Sequence, residues 1–240
     1  MIESVNNKEV IFLSKLRETK TIKENKMYIV ETPHLVEEAF KAGLLLKVIT
    51  SDENLNTYGV PTILMNQKCM EKISTLKSTP SIMGLVSLKE NKEIKGTKII
   101  ILDNVQDPGN VGTIIRSALA FNVDTVVLSN DSVNVFNEKL IRSSEGNIFK
   151  MNVVTMDTIE AINKIKNMNI DVYYADMHGK EDVREIKPAS YCLVMGSEGK
   201  GISDKVKDNC TKSIRIDMNP SCESLNVAVA SSIIMHAFRS

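Results

Sequence analysis

Ile216-Asp-Met-Asn-Pro-Ser-Cys-Glu-Ser-Leu-Asn-Val-Ala-Val-Ala-Ser-Ser-Ile-Ile-Met-His-Ala-Phe238 is the stretch on which the reading of this chain turns. Asn219-Pro220-Ser221 must bend the backbone. Ser224 then stands where a helix N-cap belongs, its hydroxyl able to accept from the free amides of the first turn. From Leu225 onward the residues are small or apolar on nearly every side, which predicts a helix over 225–238 buried against more than one surface. Taken alone, this is a capped core helix. Ser224 and Asn226 at its head still need partners.

Working outward, Thr211–Ile216 reads as a short strand ahead of the turn. Tyr191–Met195 is another, and it runs into Gly196-Ser-Glu-Gly-Lys-Gly201 and a short helix over 203–208. Lys98-Ile-Ile-Ile-Leu102 is an apolar run suited to a central parallel strand. The polar Asp103–Gly112 turn that follows opens a helix with Val111, Ile114, Ile115, Ala118 and Leu119 on one face. Arg116 falls off that stripe. Asn122 is placed to end the helix in a left-handed cap. Further strands are expected at Thr125–Ser129 and Asp171–Ala175, and helices at Asn137–Ser144 and Thr158–Met168. Strand, loop and helix repeated in this way imply an α/β domain with a parallel sheet covered on both faces. Ligands then bind in loops at the carboxyl ends of its strands.

The first part of the chain alternates similarly on a smaller scale. Residues 3–26 read as one helix with a basic face, followed by strands at Met27–Val30, Leu44–Thr50, Val60–Leu64 and Ile82–Leu88. Helices are expected from Pro33 to Phe40, closed by Gly43, and from Gln67 to Leu76. This predicts a small α/β domain over 1–90, a polar linker over 91–96 and a larger domain over 97–240.

Composition bounds the function. The chain has 42% hydrophobic and 25% charged residues, as an ordinary globule does. No apolar run reaches the length that spans a bilayer, and the first residues carry no signal-peptide pattern. Four scattered cysteines make neither a zinc motif nor a disulfide framework, so a reducing cytoplasm is expected. Formal charge is zero, but residues 1–96 hold 14 Lys/Arg against 12 Asp/Glu (+2), and 97–240 hold 16 against 18 (−2). Any polyanion is better placed on the first part. His34, His178 and His236 are dispersed and join no motif.

The Gly196–Gly201 loop is neither a Walker loop nor a dinucleotide fingerprint. Together, in this order, the three loops resemble the motifs of the SpoU-type (TrmH-like) RNA ribose 2′-O-methyltransferases of the SPOUT superfamily. Asn110, Gly112 and Arg116 match the first motif, Gly196–Gly201 the second, and Ile216, Met218 and Ser224–Ala230 the third. Tyr28–Glu31 and Thr79-Pro80 resemble that family's N-terminal domain. Asp217 stands where Pro is usual, Pro220 where Gly is common, and Asn122 and Thr32 where Gly is usual.

The resemblance implies an L30e-like RNA-binding domain and then a SPOUT domain with a deep trefoil knot, which topology rules would otherwise exclude. It implies S-adenosyl-L-methionine as cofactor, a homodimer built on the helix at 225–238, and rRNA or tRNA as partner, without metal or membrane. Arg116, Asn110, Glu198, Ser224 and Asn226 become the expected catalytic set. Leu193, Val194, Met195, Gly196, Gly199, Ile216, Met218, Leu225 and Asn226 are expected to hold the cofactor. Two other classes are a catalytically inactive RNA- or cofactor-binding relative, and a nucleotide-dependent enzyme on an ordinary doubly wound sheet. The intact Arg116, Glu198 and Asn226 weigh against the first, and the missing phosphate fingerprints against the second.

Overall fold

The computed structural model of the chain describes residues 1–239. In chain order the elements are α1 (Lys8–Lys15), α2 (Thr19–Asn25), β1 (Met27–Glu31), α3 (Pro33–Lys41), β2 (Leu45–Thr50), β3 (Thr62–Leu64), α4 (Gln67–Ile73) and β4 (Ile82–Ser87). There follow β5 (Lys98–Leu102), α5 (Pro108–Ala120), β6 (Thr125–Leu128), α6 (Glu138–Ser143), β7 (Asn152–Thr155), α7 (Thr158–Asn167) and β8 (Val172–Ala175). The last elements are β9 (Glu181–Asp182), β10 (Tyr191–Met195), α8 (Asp204–Asn209), β11 (Lys212–Arg215) and α9 (Val227–Ala237).

These elements form two compact units. One comprises Met1–Lys89 with Phe136–Phe149, the other Glu90–Val135 with the residues from Lys150 onward. The division is therefore not a single cut near residue 90. The α6 segment leaves the stretch 97–240 because Ile141 and Phe149 pack with Tyr28, Val30, Leu35 and Val36.

In the first unit the sheet order is β1-β4-β2-β3, with β4 antiparallel to both neighbours. Val10, Leu13 and Leu16 pack with Cys69, Met70 and Ile73 in one cluster, and α3 and α6 supply another. Three readings change. The expected single helix over 3–26 is two helices, broken at residues 16–18, where Leu16 turns into the core. Helix α4 stops at Ile73 rather than Leu76. Buried Glu31 accepts there from Ser74 Oγ (2.5 Å), Thr75 Oγ1 (2.7 Å) and Thr75 N (2.9 Å), the last an amide that would otherwise make the next helical bond. Thr32 sits at φ 103°, a conformation that costs a β-branched residue on the order of 1–3 kcal/mol. Its hydroxyl offsets part of this by capping α3 at Leu35 N.

The second unit is built on a seven-stranded sheet of order β7-β6-β5-β10-β8-β11-β9, parallel throughout. Every residue of β6 and β10 is buried, as continuous apolar runs in a two-sided parallel sheet must be. Strands β7 and β9, four and two residues long, add to the expected elements. Helix α5 begins at Pro108, whose missing N–H is harmless at the first position, with Asp107 capping Asn110 N at 2.8 Å. It ends as expected, with Asn122 in the left-handed region at φ 58°. The polar stretch before β5 is stitched to the sheet edge: Asn91 bridges Val154, Lys95 N donates to Thr125 Oγ1, and Asn152 Nδ2 donates to Glu93 O.

Candidate functional site

With all strands parallel, the loops after β5, β8, β10 and β11 emerge at the same edge of the sheet. Strands β5 and β10 are neighbours, and Asp103 N donates to Met195 O (2.8 Å) to continue their pairing into the loops. Past Met195 the chain folds tightly: Gly201 N donates to Ser197 O (2.9 Å). A Cβ on Gly196 would lie 2.4 Å from the Gly201 carbonyl carbon, so no side chain fits without moving backbone. Gly201 completes the turn at φ 62°.

Asn226 is the joint of the site. Its Oδ1 accepts from Ala228 N (2.9 Å) and Val229 N (3.3 Å), which makes Asn226 the N-cap of α9. The expected cap, Ser224, lies two residues too early. This fixes the amide's orientation, so Nδ2 donates to Glu198 Oε1 (2.9 Å) and Asn110 Oδ1 (3.0 Å). Asn110 Nδ2 in turn donates to the same Glu198 oxygen. Three side chains, from the first turn of α5, the loop after β10 and the N-cap of α9, thus close a ring of hydrogen bonds. Glu198 Oε1 accepts two of them, and Oε2 has no partner among the described residues.

Beside this ring lies an open cavity of about 600 Å³. Its apolar wall includes Met195, Ile214, Ile216, Met218, Leu225, Ala230 and Ile234, and its polar wall includes Asp176, Ser197, Glu198, Ser224 and Asn226. Gly196 lines it as well. Several expected residues stand elsewhere. Leu193 and Val194 are fully buried within β10, and their backbones are engaged in the ladders with β5 and β8, so they are not free to hold a ligand. Gly199 is outside the wall, as is Arg116, which is exposed on α5 and makes no ion pair or hydrogen bond among the described residues.

The structure also supplies residues that the motifs did not name. Asp176, Met177 and His178 follow β8 and line the cavity, as do Lys200 and Lys207. Lys207 Nζ donates to Asp176 Oδ2 at 2.6 Å. That bond, helped by the His178 amide, lowers the Asp176 pKa, and Asp176 raises that of Lys207. No spacing rule links Asp176 to Gly196, so only the sheet order could reveal the proximity. Burial raises the Cys192 thiol pKa well above its ordinary value and pushes Cys210 up to about 12, which makes both core thiols rather than nucleophiles.

A model of the SpoU rRNA Methylase family matches residues 97–236. The 23S rRNA (guanosine(2553)-2′-O)-methyltransferase RlmP of Bacillus subtilis (strain 168) is 30% identical over 99% of this chain and 98% of its own. A solved structure from Porphyromonas gingivalis, assigned to the TrmH family of RNA methyltransferases, is 29% identical with a TM-score of 0.89, covering 98% of both chains. The AdoMet-bound rRNA methyltransferase of Sinorhizobium meliloti shares the fold, with a TM-score of 0.87 at 23% identity, over 99% of this chain and 96% of that one. With three motif loops gathered at one sheet edge and relatives alike from end to end, the chain belongs to the SpoU rRNA methylase family.

Proposed function

We propose that the chain transfers a methyl group from S-adenosylmethionine to the 2′-hydroxyl of a ribose in structured RNA, ribosomal RNA before transfer RNA. The observation that carries this reading is the Asn110–Glu198–Asn226 ring, of which Glu198 and Asn226 line a ligand-sized cavity. The family supports the chemistry, and the 23S rRNA named for the Bacillus relative favours ribosomal RNA.

The cavity residues suit the cofactor. A volume near 600 Å³ lies within the range of small-molecule sites. The Glu198 carboxylate on the cavity wall faces a ligand carrying positive charge. When bound, S-adenosylmethionine supplies a methyl group made electrophilic by its sulfonium. Backbone groups at Met195–Gly196, Ile216, Met218 and Leu225 hold the adenine and ribose. Asn110 and Asn226 hold Glu198 still, and Ser224 and Asn226 shape the side where the RNA ribose enters. Arg116 holds an RNA phosphate and stabilises the alkoxide developing on the ribose oxygen. Fixed positioning of this kind supplies several kcal/mol without metal or covalent intermediate.

We read the loops at 196–201 and 216–226 as part of a trefoil knot, as the resemblance of their motifs to the SPOUT superfamily implies. The unit of Met1–Lys89 with Phe136–Phe149 is read as an L30e-like RNA-binding domain and the second unit as the SPOUT methyltransferase domain, acting in the cytoplasm. Titration with S-adenosylmethionine in EDTA should show one site per chain, and mapping of ribose methylation should show a mark that depends on the protein. Absence of binding, or binding with no mark on ribosomal or transfer RNA, would sink the reading.

A homodimer is proposed on α9. Val229 and Ile233 are 48% and 39% exposed on one side of it, whereas Ile234 is 1% exposed and faces inward. Ile233→Asp, not a change at Ile234, should therefore reduce the sedimenting mass from about twice 26.7 kDa to one chain, because an unpaired charge buried in an interface costs several kcal/mol. A wild-type monomer at micromolar concentration would rule the dimer out.

A further inference from the structure

Residues 216–225 belong to no helix or strand, and Ile216, Met218, Ser224 and Leu225 among them line the cavity. Their own hydrogen bonds hold them only to one another: Asn219 Oδ1 accepts from Ser221 N and Oγ, Cys222 N donates to Asn219 O, and Cys222 Sγ reaches Ser224 O. Among the described residues the segment has one polar tether to the rest of the fold. Arg184 Nη2 donates to Asp217 Oδ2 at 2.8 Å.

That guanidinium is itself aimed. Asp182 is 3% exposed, is fixed in β9 opposite Arg215, and accepts from Arg184 at Nε (3.0 Å), Nη2 (2.8 Å) and the backbone N (2.9 Å). The fork holds the Asp182 carboxyl down to about 2, so it stays ionised throughout the ordinary range. A two-point grip of this kind fixes the plane of the guanidinium, which a lysine could not reproduce. Asp217 lies between Ile216 and Met218. Those two line the cavity, while the Asp217 side chain is turned to Arg184 and is 59% exposed. The ion pair therefore grips the wall from behind.

We propose that Arg184, held by buried Asp182 and paired with Asp217, is a positioning residue that sets the cavity wall at Ile216–Met218 for the cofactor. The inference rests on S-adenosylmethionine being the ligand of this cavity. It assigns no catalytic contact to Arg184, which acts only through the loop.

Calorimetric titration with S-adenosylmethionine and its demethylated product separates the alternatives without any RNA. Asp217→Ala keeps the Arg184–Asp182 pair and should weaken binding of both by about two- to fivefold, the range for an exposed pair. The KM for cofactor should rise with it, while kcat at saturating cofactor and the melting temperature stay near wild type. Arg184→Ala should weaken binding equally, and the double variant no further. Unchanged affinity in Asp217→Ala would overturn the proposal, as would a loss in Arg184→Ala that Asp217→Ala does not share, since that traces the effect to Asp182. A wild-type chain that binds neither ligand overturns the proposed function itself.

Discussion

Arg116→Ala is expected to lower methyl transfer by at least about a hundredfold, the order for losing one preorganised charge at a reacting oxygen. Folding and cofactor affinity should remain near wild type. The side chain is exposed, lies outside the cavity wall, and supports no core residue, so little stability rests on it. Arg116→Lys should rescue little, because a point ammonium does not replace the planar fork on a phosphate. Single-turnover rates beside a thermal melt and a cofactor titration decide the matter. A well-folded Arg116→Ala protein with normal turnover removes Arg116 from the mechanism.

Asn226→Asp should be equally damaging for a different reason. The new side chain keeps an oxygen for Ala228 and Val229, so the α9 cap survives. What it loses is the amide that donates to Glu198 Oε1 at 2.9 Å, leaving a carboxylate against a carboxylate. Methyl transfer should fall about a hundredfold at neutral pH. Mutual repulsion raises the pKa of the pair in the folded state above its unfolded value. The destabilisation is then fully present above the raised folded pKa and disappears as pH falls below the unfolded value. Once protonated, the new acid can donate to Glu198 again. The variant's rate relative to wild type should therefore recover as the buffer is made mildly acidic. Asn226→Ala should show no such recovery, and should also lose about 1 kcal/mol of cap stability. A flat rate ratio across pH for Asn226→Asp would exclude the hydrogen-bonded ring as the source of the defect.

The parts of this site that could be read in the sequence share one property: their signals are local. The apolar stripe of α5 and its Asn122 end are set within a few residues, and both stand where expected, although the helix opens at Pro108, inside the stretch 103–112 expected as a turn. The misplaced features depend on distant partners. Helix α4 ends where it does because Glu31, 43 residues earlier, takes the amide and hydroxyls that follow. Ser224 and Asn226 are both good caps, two positions apart, and the choice is made by Asn110 of α5 and Glu198 of the loop after β10. Leu193 and Val194 looked available because a sequence does not show which backbone groups a ladder will use. Asp176 and Lys207 carry no motif and reach the cavity only through strand order.

The return of Phe136–Phe149 to the first unit bears on how the chain is made. A ribosome releases residues in order, so Tyr28, Val30, Leu35 and Val36 emerge long before Ile141 and Phe149, which complete their cluster. Until then an apolar surface stays wet. The first unit cannot be completed before part of the second has been made, unlike domains that fold strictly one after another, because β5, α5 and β6 are synthesised between its two pieces. The nascent protein is thus exposed to chaperones and proteases until about three-fifths of its length is made. A stop or frameshift before Phe136 leaves behind a fragment with an unfilled core rather than an intact small domain.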